Sequence, residues 1–480
     1  MTARRRAGPR VRAGLLAGLA LLAAALAAPA RCESAPDRLD FLRAYELALQ
    51  HDPTWQAARS RREADAEERA LGRSGLLPNV GYRYWRSRNR SEVRETTLFG
   101  PSVRDVDYDG YASSLTLVQP LFDAAAYARY REGRARADAA EHVLERAHQA
   151  LAVRTLQAYL DVLYAEDELA LAEAHLQALT ADAERVERFL RLGEGTVTER
   201  AEAQARRHLA EVARIESGDR RRDALNALRA LIGGAVPQGG VAPLLSRGLP
   251  LEDGLEPLEA WRRRLLAGNP ELAAQRSLVE AARRRHQRQR AGHLPSLDLL
   301  VRQQLSSSNA ENQIGQRYDT GTIGIELSVP LYAGGGTSAA SRQARALLDE
   351  AEHELEAATT DLLDDLERQY LRVRSGPAKI EAYQQALAAA EQRVAATRKS
   401  VLGGERTHLD VLDAEQARYQ TQRDAARARY DFLLAWLSLR WQAGALGRAD
   451  VQRIAACFGV PAAGAAHPAP IGPAVAGASP

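Results

Sequence analysis

The sequence predicts an α+β protein, mainly α, in which four amphipathic strands and very long antiparallel coiled-coil helices form an internal tandem repeat. Three observations support this: landmarks recur at a nearly constant offset, strand-like segments alternate with period two, and helical stretches are too long for a compact globule. The composition agrees, because 5% of residues are aromatic and 26% are charged, a balance typical of long helices and coiled coils.

Residues 1–30 are predicted to be a signal peptide. A basic stretch precedes an apolar run over 13–28, and Ala28-Pro29-Ala30 fits a small-x-small cleavage site. The alternative is a retained anchor helix. Cleavage would remove five arginines and no acidic residue, which takes the net charge from +3 to −2 and weakens a nucleic-acid-binding hypothesis. Cys32 follows the cleavage site and leaves lipidation open, although Arg31 fits poorly before a lipid-modified cysteine.

The chain repeats itself in five landmarks that keep their order. The matched pairs are Pro53 and Pro270, Pro78 and Pro295, Pro120 and Pro330, Tyr159 and Tyr370, and Glu199/Glu202 and Asp410/Asp413, with offsets of 217, 217, 210, 211 and 211 residues. We therefore expect a first repeat at 31–235, a linker at 236–256 and a second repeat at 257–443. The Ala/Pro/Gly-rich segment 444–480 is predicted to be a disordered tail.

Both repeats are predicted to have the same order of elements: a helix, two strands, a very long helix and a returning helix. The first has a helix at about 37–74, strands at 78–92 and 108–121, and helices at 124–192 and 199–233. The second has a helix at about 257–291, strands at 295–307 and 320–332, and helices at 337–402 and 407–443. Gly376-Pro377 should kink or break the second long helix, because proline removes a helical hydrogen bond.

The predicted strands alternate between apolar and polar residues, as Ile323, Ile325 and Leu327 do with Gly324 and Glu326. This pattern fits a half-buried sheet in water and also a barrel wall that faces lipid. The signal peptide and the duplication favour the barrel. Four strands have free edges and cannot close in lipid, so several copies must pool them; two copies or more would satisfy this requirement.

The stretch 124–192 would form a rod about 100 Å long at 1.5 Å per residue. No compact domain can bury such a rod, so it must pack along other rods. Short turns rich in glycine separate each long helix from its returning helix and are predicted to form the tips of two helical hairpins. The tip glycines are Gly193, Gly195, Gly403 and Gly404.

Together the two repeats, the Pro-Leu-Phe and Pro-Leu-Tyr strand ends, Gly334-Gly335-Gly336 and the segment 406–414 (Arg-Thr-His-Leu-Asp-Val-Leu-Asp-Ala) resemble the TolC family of outer-membrane channels over about 37–443. The resemblance implies a homotrimer with a shared 12-stranded transmembrane β-barrel in the outer membrane and an α-helical tunnel across the periplasm. It implies an exit duct for small-molecule efflux or type I protein secretion. The partners implied are outer-membrane lipid, a periplasmic adaptor (membrane fusion) protein and an inner-membrane pump of the RND, ABC or MFS type.

The resemblance also places the gate at the helix tips, which would open by an iris-like movement. Asp410 and Asp413 match the family's constricting aspartates and would form two acidic rings in a trimer; the alternative is a helix-start carboxylate and a solvated face. Arg406 matches a gate-locking arginine, and Glu199 and Glu202 stand where its acidic partners are expected. Val401 replaces the family's latch tyrosine, which predicts a weaker latch.

The sequence contains no constellation typical of an enzyme. No Cys/His cluster has metal-ligand spacing, and Gly334-Gly335-Gly336 lacks the lysine of a phosphate-binding loop. We therefore expect no catalysis, no cofactor and no nucleic-acid partner. The alternative function is that of a periplasmic coiled-coil adaptor or scaffold, which shares the signal peptide and the helical hairpins.

Overall fold

The structure, a computed structural model, describes residues 38–245, 254–308 and 316–459. The predicted signal peptide, Cys32 and the tail from residue 460 onward lie outside the described residues. The same holds for the middle of the predicted linker, residues 246–253, and for residues 309–315 between the last two strands.

Both repeats contain the predicted types of element in the predicted order. The first consists of α1 (Phe41–His51), α2 (Pro53–Ala66), α3 (Glu68–Ser74), β1 (Asn79–Thr97), β2 (Gly100–Phe122), α4 (Ala124–Arg191) and α5 (Val197–Ile232). The second consists of α6 (Leu258–Gly268), α7 (Pro270–Ala291), β3 (Ser296–Ser308), β4 (Gln316–Ser328), α8 (Gly336–Leu402) and α9 (His408–Gln442), and is followed by α10 (Arg448–Ala455).

The first helix of each repeat is divided at the residue before a proline, where the sequence analysis expected one continuous helix. Asp52 caps α2 by accepting a hydrogen bond from the Trp55 N–H at 2.8 Å. Asn269 caps α7 in the same way, with its side-chain oxygen 2.8 Å from the Glu271 nitrogen. A proline at the first helical position favours a new helix start, because that N–H has no partner in a helix.

The four strands form one antiparallel sheet in the order β1-β2-β3-β4. The two repeats join in it, because β2 pairs with β3 from Gly110 and Ser308 down to Phe122 and Leu297. β1 and β2 are longer than predicted, because they continue as a ladder of charged residues that lacks the apolar alternation of a typical strand. β4 ends at Ser328, before the predicted 332, and Pro330 cannot donate a ladder hydrogen bond.

The long helices form two antiparallel pairs. α4 has 68 residues and packs along the 36-residue α5, and α8 has 67 residues and packs along the 35-residue α9. At 1.5 Å per residue the longer rods span about 100 Å. α4 also packs against α7 and α9, so it links the two repeats.

α8 runs unbroken through Pro377, so the break considered for that position is absent. The adjacent Gly376 lies against Phe432 of α9, where an added Cβ would be 2.2 Å from a ring carbon. The lateral packing of α8 on α9 supports the helix at the point where proline removes one of its hydrogen bonds.

The prediction of a disordered tail from residue 444 is wrong for residues 444–459. α10 follows α9, and both Cys457 and Phe458 are buried in the main core. The Phe458 ring lies 5.0 Å from the Tyr159 ring and 6.1 Å from the Phe41 ring, between centroids. These few apolar residues were overlooked because the segment as a whole is rich in Ala, Pro and Gly. In the structure they fill a space between the first repeat and the linker.

Tyr159 holds that junction together. Its side chain is fully buried, and its hydroxyl lies 2.9 Å from the carbonyl oxygens of both Leu39 and Ala242, toward which it donates. Burial raises the pKa of this phenol. The hydroxyl therefore joins α4 to two backbone segments, one at Leu39 and one at Ala242, which pair with each other through Leu39 and Val241.

Tyr159→Phe should lower the stability of the helical body, because it removes a donor from the Ala242 and Leu39 carbonyl groups, of which the Leu39 carbonyl still accepts the N–H of Ala242. The expected cost is about 1–3 kcal/mol, visible as a lower midpoint of thermal unfolding followed by circular dichroism in detergent. Tyr127→Phe is the matched control, because Tyr127 also lies on α4 but is exposed. Equal midpoints for the two variants would contradict this role.

Among the described residues, no helix combines the length and apolar composition needed to cross a bilayer.

Candidate functional site

The tips of the two helical hairpins are built alike. Gly193 and Gly404 both adopt a left-handed backbone, with φ of +83° and +76°, a conformation that favours glycine. The next N–H in each turn, from Glu194 and from Glu405, donates to a carbonyl in the preceding helix at 3.0 Å. Each turn therefore supplies a hydrogen-bond donor to a carbonyl group in the last turn of the long helix and reverses the direction of the chain.

Each returning helix begins with a capping box. In α5, the Glu199 carboxylate accepts hydrogen bonds from the Thr196 N–H and hydroxyl at 2.9 and 3.0 Å. In α9, the Asp410 carboxylate accepts from the Thr407 N–H and hydroxyl, both at 2.9 Å. The N–H and hydroxyl of Thr407 lower the pKa of Asp410. Asp410 thus matches the helix-start interpretation, and its half-buried carboxylate also carries a negative charge at the tip.

Asp413 lies one turn further along α9 and forms an ion pair with Arg206 of α5. The distance from the Arg206 guanidinium to an Asp413 carboxylate oxygen is 2.9 Å, and that to Glu202 is 2.7 Å. Burial opposes the charge of Arg206, but hydrogen bonds to Glu202 and Asp413 outweigh it and raise the pKa of the guanidinium. This three-residue group, the Arg206 bridge, links the two helical hairpins close to their tips.

Arg406 is exposed beside Asp410, whose pKa it also helps to lower. Among the described residues, no hydrogen bond or ion pair joins it to Glu199 or Glu202. Glu199 instead caps its own helix and Glu202 binds Arg206. Among the described residues at the tips, Arg206 is therefore an arginine that connects the hairpins.

The sequence analysis missed Arg206, although a partial signal was present. Glu202 and Arg206 are four residues apart, a spacing that places them together on one helix face. The contact with Asp413 spans 207 residues of sequence, and no spacing rule indicates it. It depends on how α9 packs against α4, because this packing places Asp413 opposite Arg206.

Further contacts hold α9 to α4 above the Arg206 bridge. The rings of His175 and Tyr419 stack, with centroids 4.8 Å apart and planes 13° from parallel, and burial lowers the pKa of this imidazole. The Tyr430 hydroxyl donates to the Asp167 carboxylate at 2.7 Å, and burial raises the pKa of that carboxyl group. The helix rises about 25 Å between Asp413 and Tyr430, so α9 is attached to the first repeat over that length.

The charge at the tips is accordingly divided between two kinds of site. Asp413 is compensated by Arg206, whereas Asp410 is compensated chiefly by helix-start dipoles. If several copies surround one opening, the Asp410 carboxylates contribute more to its negative potential than the Asp413 carboxylates do.

A four-stranded sheet with two free edges, joined to helices of about 100 Å that end in linked tips, defines the class of membrane channels with a long helical tunnel. A family model described as outer membrane efflux protein matches residues 44–234 and 261–445. The chain belongs to this family. It is an outer-membrane channel protein whose helices form a periplasmic tunnel.

Two curated relatives resemble the chain over most of its length. The alkaline protease secretion protein AprF of Pseudomonas aeruginosa is 41% identical over 420 residues, which cover 88% of this chain and 87% of the relative. The proteases secretion protein PrtF of Dickeya chrysanthemi is 40% identical over 425 residues, which cover 88% and 91%.

The solved structure of the outer membrane protein VceC from Vibrio cholerae matches the fold with a TM-score of 0.70. The match covers 84% of this chain and 96% of VceC at 21% identity. This match therefore supports the fold, whereas the two curated relatives support membership of the family. The alternative of a periplasmic adaptor or scaffold is not favoured by these comparisons.

Proposed function

We propose that the protein is the outer-membrane exit duct of a type I protein secretion system. The observation that carries this proposal is the identity of about two residues in five with AprF and PrtF, whose names state protease secretion. The cargo proposed for this chain is accordingly a protein. The chain conducts this cargo without catalysing a reaction, and it works with a periplasmic adaptor and an inner-membrane pump.

The functional unit in this proposal is a homotrimer. Among the described residues, β1 and β4 each have an edge that pairs with no other strand, and unpaired backbone groups are very costly in lipid. Pairing β1 of one copy with β4 of the next removes every edge once the ring closes. Twelve strands from three copies form such a ring, and the long helices of the three copies then surround one tunnel.

The gate in this proposal lies at the tips, where Asp410 and Asp413 surround the aperture. Because the Arg206 bridge joins α9 to α5, α9 cannot move outward until the contact between Arg206 and Asp413 breaks. Arg406, Glu199 and Glu202 complete the polar surface of the tips. The turns at Gly193, Gly195, Gly403 and Gly404 are the surfaces on which the adaptor docks.

Deletion of the gene in its own host, followed by comparison of the proteins in the culture medium, tests the proposed cargo. At least one secreted protein should disappear from the medium and return when the gene is restored. Sensitivity to small toxic compounds should change much less. A full set of secreted proteins together with strong hypersensitivity would favour small-molecule efflux instead.

Asp410→Asn should reduce the preference of the open channel for cations. The amide oxygen can still accept the Thr407 N–H, so the helix start is kept while three charges are lost from the trimer. The measurement is the reversal potential across a planar bilayer with a salt gradient. Asp424→Asn is the control, because Asp424 lies on the same helix about four turns from Asp410 and its change leaves the tips intact. An equal shift for both variants would contradict a ring at Asp410.

A further inference from the structure

The hairpin of β1 and β2 extends far beyond the four-stranded part of the sheet. Among the described residues, the last pair between β2 and β3 is Gly110 with Ser308. β1 and β2 continue for ten further pairs, from Arg88 with Asp109 to Thr97 with Gly100. At about 3.3 Å per residue, this two-stranded extension is about 33 Å long. It lies at the end of the sheet opposite the helices and therefore projects from the outer mouth of the channel.

The two faces of this extension differ. On β1 the face that continues from Tyr82 and Tyr84 becomes charged, and Arg86 and Arg90 form ion pairs with Asp109 and Asp107 of β2. These charged side chains are exposed. On the opposite face, the positions nearest the four-stranded part of the sheet are half-buried or buried, whereas Ser102 and Arg104, nearer the tip, are exposed. The half-buried or buried positions are Ser87, Asn89, Ser91, Val106, Tyr108 and Gly110.

Tyr82 and Tyr84 belong to the apolar face that we assign to lipid, so the charged face of the extension points outward. The less exposed face is then the one that continues the inner wall of the barrel. A two-stranded ribbon is at best marginally stable alone in water. An extension of this length therefore needs something against which its inner face and its tip can pack.

The tip itself is apolar. Leu98 and Phe99 form the turn and are fully exposed within the chain, at 103% and 101% of their reference areas. The turn is completed by Gly100, whose φ of +112° is a conformation that side-chain-bearing residues rarely adopt. Two adjacent apolar side chains at the end of a charged ribbon form a small patch that water does not favour.

We propose that the three tips of a trimer meet on its symmetry axis and close the outer mouth of the channel with a plug of Leu98 and Phe99 side chains. This inference rests on the homotrimer of the proposed function. Twelve strands spaced about 4.8 Å apart and tilted by about 40° give a barrel radius of about 12 Å. An extension of about 33 Å is long enough to reach the axis if it bends inward.

The three tips are identical, and their burial against one another removes the apolar patch from water. The ion pairs on the outer face stay in contact with solvent. The channel would then contain two constrictions in series, one at the periplasmic tips and one at the outer mouth.

Leu98→Cys tests the meeting of the tips, in a background in which Cys32 and Cys457 are replaced by serine. Mild oxidation of intact outer membranes should link two of the three chains through one disulfide, because a disulfide needs Cα atoms within about 7 Å. Val103→Cys is the matched control, because Val103 is an exposed apolar residue of the same extension that pairs with Arg94 on the outward face. That variant should stay unlinked.

The same oxidised sample is then extracted and its particle mass is measured. A trimer that contains no linked chains in the Leu98→Cys variant overturns the inference and leaves the proposed function intact. A sample that contains no trimer instead contradicts the proposed function. Equal linkage of the Leu98→Cys and Val103→Cys variants also overturns the inference, because random encounters would explain both.

Single-channel conductance provides a second, independent test of the plug. With the periplasmic tips closed, that constriction dominates the resistance, so Leu98→Asp alone should change little. In an Arg206→Glu background, the added Leu98→Asp should raise the conductance by a further factor of about two. No further rise in that background would overturn the plug.

Discussion

Arg206→Glu should hold the periplasmic end of the channel open. The substitution replaces a cation between Glu202 and Asp413 by a third carboxylate, so an attraction between α5 and α9 becomes a repulsion. A partly exposed ion pair contributes up to about 1 kcal/mol. Three copies together therefore shift the balance between closed and open states by about 3 kcal/mol, or roughly 100-fold. Single-channel recording in planar bilayers should show a conductance several times that of the unmodified protein.

The control for this prediction is Arg222→Glu. Arg222 also lies on α5, and its ion pair is with Asp219 on the same helix, so the same change of charge should leave the conductance unaltered. The double variant Arg206→Glu with Asp413→Arg restores an attraction across the two hairpins and should return the conductance toward its original value. An open channel in the Arg222→Glu variant, or none in the Arg206→Glu variant, would show that the Arg206 bridge does not hold the gate.

Gly133→Ala should destabilise the protein, although alanine is the better helix former. At Gly133 on α4, an added Cβ would lie 2.2 Å from the Glu68 carbonyl oxygen of α3. The clash is with backbone, so α3 has to move away from α4, which costs about 1–3 kcal/mol. Because α3 leads into β1 at Asn79, we also expect fewer assembled channels. Thermal unfolding and the yield of assembled particles measure the two effects.

Gly218→Ala provides a comparison of opposite sign. Gly218 lies within α5 with no neighbouring atom within 4 Å of an added Cβ. Alanine there gains helix propensity of up to about 1 kcal/mol without a clash. The unfolding midpoint should thus fall for Gly133→Ala and rise for Gly218→Ala; a rise in both would mean that α3 and α4 do not require their close approach.

Most of the fold could be predicted because its signals are periodic and local. Proline positions marked the repeats, and the absence of proline between residues 124 and 192 marked the longest helix. Length alone then required side-by-side packing. The outer part of the extension, beyond residue 92 of β1 and before residue 108 of β2, was missed because its alternation is between charges of opposite sign and polar residues, which resembles a loop. α10 and Phe458 were missed because a few apolar residues lie within a segment of Ala and Gly.

The candidate site was predictable only in part. The turns at Gly193 and Gly404 follow from local backbone preferences, and the resemblance to relatives located Asp410 and Asp413 at the tips. Which arginine binds which carboxylate depends on how α9 packs against α4. Spacing along one helix indicated Glu202 with Arg206, but only the packed structure joins Arg206 to Asp413.

Identical copies of this chain are expected to assemble into one conduit in the outer membrane. Native mass spectrometry of protein extracted in mild detergent from outer membranes counts the copies. One dominant species with the mass of three mature chains is expected. A dominant monomer or dimer, or protein that stays dispersed in water without detergent, would contradict it.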